Sequence, residues 1–91
     1  MNRNRVFELV SDERDRQEEL KRQGRFMSTC ADNSLWDAEK LAVLMEEVGE
    51  LSRAVLETLN LCADKHGSNT KDELVQIAAV CCAWLESLED D

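Results

Sequence analysis

The sequence predicts an all-α protein: three helices, with room for a short fourth, forming the subunit of an oligomeric helical bundle. Three observations carry this reading. The 91 residues hold no Pro, no Tyr and three Gly, too few turn-formers for the tight hairpins of an all-β domain. Apolar residues recur at three- and four-residue steps, the spacing of one helix face. Hydrophobic residues make up 43% of the chain, too many for a disordered acidic tail. The length is that of one domain, residues 1–91.

The first helix is expected over residues 3–23, with Gly24 as its C-terminal stop. Val6, Phe7, Leu9, Val10 and Leu20 supply its apolar contacts. Residues 12–19 are charged nearly throughout, which fits either a solvated face or the lining of a polar site. Residues 24–33 read as a loop. Ser34 reads as the N-cap of the second helix, with Asp37 as its capping partner and a favourable charge for the helix dipole. That helix is expected to reach about residue 63. Leu41, Leu44, Val48, Leu51, Val55 and Leu59 form its amphipathic stripe. Residues 65–69, with His66-Gly67 at the centre, read as the second connection, and His66 as a surface residue.

The third helix is expected from near Thr70 to near Leu88, with Asp90 and Asp91 opposing its dipole so that the tail frays. Residues 77–85 are apolar without interruption, and Trp84 follows the core phase. A helix apolar all round calls for burial all round. Two companion helices in so short a chain cannot supply that, so a homo-oligomer with the third helix at the interface is expected.

Charge and cysteine usage narrow the function. Twenty acids against 11 bases give a net charge of −9, the wrong sign for nucleic acid or an anionic membrane surface. The longest apolar run, residues 77–85, is far short of a membrane span. No segment has the order of a signal peptide, so a cytoplasmic protein is expected. Cys30, Cys62, Cys81 and Cys82 show no CxxC spacing and read as reduced thiols behaving as small hydrophobes.

One acidic constellation stands out. Glu47 and Glu50 lie about 60° apart on the circumference of the second helix, in line with Val43 and Ala54 beside the core stripe. Glu46 falls nearer solvent. Like charges at these spacings destabilise a helix by about 0.2–0.5 kcal/mol per pair, a repulsion that a divalent cation removes. Mg²⁺ prefers such hard carboxylate oxygens. Gly49, in mid-helix, either permits a close approach or is simply tolerated. On the third helix Glu73 and Gln76 are again three apart, and Glu73 is in phase with Ile77, Val80 and Trp84. Two readings of Glu73 stand. It closes a capping box with Thr70, or it joins the acids of the second helix in a bundle-core metal site. A solvated acidic face is the rival to any metal site here.

The residues Lys40-Leu41 through Glu47, then Gly49-Glu50-Leu51, then residues 73–80 (Glu-Leu-Val-Gln-Ile-Ala-Ala-Val), resemble the MazG-like all-α nucleoside triphosphate pyrophosphohydrolases. Glu13-Arg14-x-x-Gln17 followed by Gly24 resembles the first helix of the short, phage-type members. The similarity spans nearly the whole chain. Glu46, Glu47 and Glu50 match the family's first acidic motif and Glu73 opens its second. Gln76 stands where the family pattern has Asp, so one ligand is an amide without charge.

The resemblance implies Mg²⁺-dependent hydrolysis, with Mn²⁺ as a substitute, of a nucleoside or deoxynucleoside triphosphate between the α and β phosphates. Glu47, Glu50, Glu73 and Gln76 would hold the metal, and Glu46 would hold or deprotonate the water. Arg14, Gln17, Lys21 and Lys40 are the candidates for substrate contact, and Trp36 reads either as a base-stacking or as a structural residue. The alternative is an acidic helical module of the same fold that binds nucleotide, metal or a protein partner without turnover, and a third reading is an oligomerising bundle whose acids serve solubility alone.

Overall fold

The computed structural model describes residues 1–61 and 69–88, with side chains to residue 57 and from residue 69. Cys62, His66 and the connection around it, the expected end of the second helix at residue 63, Leu59 of its stripe and the Asp90-Asp91 tail lie outside the described residues. The described chain is all-helical: α1 (Arg3–Arg22), α2 (Asp37–Leu61) and α3 (Thr70–Ser87). None of these helices is long and apolar enough to cross a membrane.

α1 is closed at both ends by the groups its sequence supplies. Asn2 Oδ1 accepts the Arg5 N–H at 2.8 Å, satisfying one orphan donor of the first turn. At the other end Gly24 adopts φ +78°. The Gly24 N–H donates to the Lys21 carbonyl and the Arg25 N–H to the Leu20 carbonyl, both at 2.9 Å. These are the two bonds of a Schellman motif, whose left-handed residue favours Gly.

The start of α2 corrects the sequence reading. Trp36, not Ser34, is the cap position. Its carbonyl accepts the Glu39 and Lys40 N–H groups at 3.0 and 3.1 Å, and its own N–H donates to Glu39 Oε1 at 3.2 Å. Glu39 thus supplies the acidic half of a capping box without a hydroxyl on the other side. Asp37, expected as a capping partner, instead accepts the Trp84 indole N–H at 3.0 Å and ties α2 to α3. α3 is also capped one residue earlier than the capping-box reading requires. The Asn69 carbonyl accepts the Glu73 N–H at 2.9 Å, Thr70 is already helical, and the Thr70 hydroxyl is buried without a partner.

α3 is the central helix. It packs on both α1 and α2, which do not pack on each other. Ala79 and Ala83 are fully buried, and side chains this small let two helices approach one axis. Cys30, Val80 and Ala83 form the buried cluster, with Ala31, Leu44 and Trp84 against it. As expected, two companion helices leave part of α3 uncovered in the single chain. Leu74 and Leu85 are exposed, and Ile77, Cys81, Cys82 and Trp84 are half-buried. Two neighbours cover two strips of a cylinder, and the rest faces outward. Leu41 and Val55 of the expected α2 stripe are likewise exposed. An apolar groove of about 440 Å³ runs between α1 and α3, lined by Val6, Leu9, Val10, Leu74, Val75 and Ala78.

Polar clamps hold the assembly. Arg14, buried on α1, reaches across to Glu86 of α3 through Nε at 2.6 Å, and meets Glu18 at 2.8 Å and Gln17 at 3.0 Å on its own helix. The loop after α1 is pinned back on it. Thr29 donates its hydroxyl to Glu18 at 2.7 Å, and the Lys21 ammonium pairs with Asp32 at 2.5 Å.

Candidate metal and substrate site

Among the described residues α1 and α2 flank α3 without a close backbone approach to each other, and residues of all three helices and of the pinned loop face a common space. The result is a cavity of about 250 Å³. Its polar end is made by Glu13, Arg16 and Gln17 of α1, Glu47 of α2 and Gln76 of α3. Its apolar wall is made by Val43, Val80 and the loop residues Phe26, Cys30 and Leu35, with Ser28 and Thr29 beside them. Burial holds the Cys30 thiol above its ordinary pKa, so it lines the wall as a neutral group. Cys30, Cys81 and Cys82 are all free thiols.

At the same end of the bundle three carboxylates converge. Glu47 and Glu50 lie one turn apart on α2, and Glu73 stands in the first turn of α3. Each offers an oxygen within 4.8 Å of the others. Glu47 and Glu73 are half-buried and Glu50 is exposed. One oxygen of Glu47 and one of Glu73, Oε2 in each case, is buried with no hydrogen-bond partner among the described residues. Such a group carries a desolvation cost with nothing in return.

Both carboxyls respond in their acidity. Burial first, then the charges of Glu50, Glu73, Glu13 and Glu46, raise the pKa of Glu47. Burial, the charge of Glu50 and a hydrogen bond with it raise that of Glu73, against a smaller opposing effect of Arg53. Crowded, desolvated carboxylates are released from this cost by a proton or by a cation. The donor set is all oxygen, hard and acidic, which suits Mg²⁺ or Mn²⁺. The three carboxylates therefore fit a divalent ion in donor type, and Gln76, one turn beyond Glu73, lines the cavity together with Glu47.

The structure sorts the other expected site residues. Glu46 is exposed, beside the three acids but not lining the cavity. Gln17 lines the cavity, with its amide oxygen taken by Arg14 at 3.0 Å. Arg14 itself is directed at Glu86 and Glu18, between α1 and α3. Lys21 is engaged by Asp32. Lys40 is only 2% exposed, and its ammonium donates to Ser87 Oγ at 2.5 Å, toward the far end of α3. Trp36 is 77% exposed and outside the cavity lining.

The residues that sequence reasoning did not assign to the site are Arg16, Glu13 and the loop residues. Glu13, Arg16 and Gln17 share the i, i+3, i+4 spacing of one helix face, a signal present within the charged run 12–19. The loop residues carry no local signal, since their place depends on where the loop folds back. No family model, curated protein or solved structure matches this chain.

Proposed function

We propose that the protein is a divalent-metal-dependent pyrophosphohydrolase of nucleoside or deoxynucleoside triphosphates, acting as a homo-oligomer. The observation that carries this reading is the pair of unpartnered buried oxygens on Glu47 and Glu73 within a three-carboxylate cluster, opening beside a cavity with an acidic end and an apolar wall. The resemblance of the acidic motifs to the MazG-like enzymes supplies the reaction.

Glu47, Glu50 and Glu73 would hold the metal, with Gln76 as a neutral donor. When bound, Mg²⁺ neutralises phosphate oxygens and supports attack by water. The chain's own residues do the rest. The apolar wall of Val43, Phe26, Leu35 and Val80 seats the base out of water, leaving the phosphates at the acidic end. A water oxygen bonds to the α-phosphorus, the bond from that phosphorus to the bridging oxygen breaks, and pyrophosphate leaves. Glu46 takes the water's proton, its exposed carboxylate lying next to Glu47. Leu74 and Leu85, exposed on α3, and the groove between α1 and α3 support burial against a second copy.

The test is incubation of the purified protein with each NTP and dNTP in Mg²⁺ and in Mn²⁺, with products separated by ion exchange and Glu47→Gln as control. Monophosphate plus pyrophosphate from the wild type alone is the expected result. Gln76 favours a second reading, an acidic module that binds without turnover, because an amide brings no charge to the cation. Nucleotide and metal raising the melting temperature with no product formed from any nucleotide would establish that reading, and Gln76→Asp would then be expected to restore turnover.

A further inference from the structure

The acidic cluster accounts for the metal side of the site, and Arg53, whose charge acts on Glu73, does not line the cavity. Arg14, Lys21 and Lys40 are each committed to a side chain outside the cavity. Among the described residues that line the cavity, the one cation is Arg16. It sits on α1 across from the acids, close enough that the charge of Glu47 acts on it.

Its geometry is that of a presented guanidinium. Nε donates to Glu13 Oε1 at 2.8 Å and Nη2 to Glu13 Oε2 at 2.9 Å, a bidentate grip along one edge. The Glu13 side chain is nearly buried at 12% exposure, whereas that of Arg16 is 53% exposed. Glu13 therefore acts as the fixed anchor, and the guanidinium is held at the cavity's polar end with Nη1 not hydrogen-bonded to any described residue. A planar, always-charged fork held this way suits phosphate oxygens better than a lone ammonium.

We propose that Arg16 is a phosphate-binding residue, contacting the phosphoryl groups that depart as pyrophosphate, with Glu13 as its positioning residue. This rests on the pyrophosphohydrolase reading and names the missing basic half of that site. The polyphosphate lies between the acids with their metal on one side and the guanidinium on the other, so the two halves of the site come from different helices.

The test measures binding of inorganic pyrophosphate and tripolyphosphate in Mg²⁺ by calorimetry, and of Mn²⁺ alone by electron paramagnetic resonance. The variants are Arg16→Ala, Arg16→Lys and Arg16→Gln, with Arg22→Ala, whose partner Glu19 lies outside the cavity, as control. Loss of a charged hydrogen-bonding partner predicts about 10- to 100-fold weaker polyphosphate binding for Arg16→Ala. Mn²⁺ affinity and the melting curve should stay as in the wild type, Arg16→Lys should recover part of the loss, and Arg22→Ala should bind normally. If Arg16→Ala melts early, Arg16→Gln carries the comparison. Wild-type affinity for pyrophosphate in both Arg16→Ala and Arg16→Gln would overturn the assignment and leave the pyrophosphohydrolase reading standing. A wild type that binds neither anion and hydrolyses no nucleotide would overturn both.

Discussion

Glu47 of α2 and Glu73 of α3 bring carboxylate oxygens within 4.8 Å of one another, and each keeps a buried Oε2 that no donor among the described residues reaches. Two desolvated anions at that separation oppose folding, and the pKa of each is raised in consequence. Neutralising either one should therefore relieve the fold even as it removes a metal donor.

Glu47→Gln is expected to raise the metal-free melting temperature at neutral pH, by about 0.5 kcal/mol after solvent screening of a partly exposed group, or roughly 2–4 °C for a domain this size. The same variant should lose the stabilisation that Mg²⁺ gives the wild type. Thermal melts with and without Mg²⁺ on both proteins check this, and a Glu47→Gln protein that melts lower without metal would count against the strained-cluster account.

The pH dependence follows from the same groups. A carboxyl whose pKa is raised by folding binds its proton more tightly in the native state, so its contribution is present at low pH and lost as pH rises through the native value. Glu47 and Glu73 should make the metal-free protein more stable as pH falls from neutrality toward the ordinary Glu value of about 4.3. Asp32 and Glu18 run the other way. The Lys21 hydrogen bond lowers Asp32. For Glu18, burial pushes the pKa up, but hydrogen bonds from Thr29 and Arg14 outweigh it. Their contribution is present above their unfolded values and lost as pH falls. Melting temperature against pH should pass through a maximum on the acid side of neutrality, and the Glu47→Gln, Glu73→Gln double variant should flatten the upper limb alone.

Metal binding should also release protons. Because cation and proton compete for Glu47 and Glu73, whose pKa values are raised, titrating Mg²⁺ into the protein on the acid side of neutrality should give a heat that scales with the buffer's ionisation enthalpy. That dependence should fade as the buffer is made more alkaline.

Arg14 carries a structural load rather than a free charge. Arg14→Ala removes bonds to Glu86, Glu18 and Gln17 at once and should destabilise the chain by about 1.5–3 kcal/mol, the range for hydrogen bonds to charged groups. Denaturant unfolding gives the number directly. A loss below about 0.5 kcal/mol would assign the network to the solvated surface.

Gly24 and Gly49 should respond in opposite directions to Ala. Gly24 has φ +78°, so a Cβ there costs about 1 kcal/mol. A Cβ at Gly49 meets nothing within 4 Å, so Gly49→Ala should stabilise the helix by about 0.5–1 kcal/mol. The close approach that the sequence allowed at Gly49 is absent among the described residues. A destabilised Gly49→Ala in the assembled protein would locate a subunit contact there.

Residues close along one helix were legible before folding. The ends of α1, its Gly24 stop, and the i, i+3 relation of Glu47 to Glu50 all depend on backbone periodicity and local hydrogen bonds, which a linear pattern carries, whereas among its described residues the α2 stripe is covered only at Leu44, Val48 and Leu51, with Leu41 and Val55 exposed. For Glu73 the pattern left two readings, a capping box or the acidic cluster, and it is the fold that brings it beside Glu47 and Glu50. What depended on distance in the chain was not legible. Ser34 loses the cap to the Trp36–Glu39 arrangement because Asp37 is drawn to Trp84 of α3. Arg14 and Lys40, equivalent on paper to any other exposed base, are buried because Glu86 and Ser87 at the far end of α3 come back against them. Arg16, two residues from Arg14, faces the cavity instead. The sequence by itself determined the helices and the i, i+3 spacing of the acids on α2. Only the tertiary structure decided which bases are spent on the fold and which one meets the cavity, because a charge is assigned by the partners that packing brings within reach.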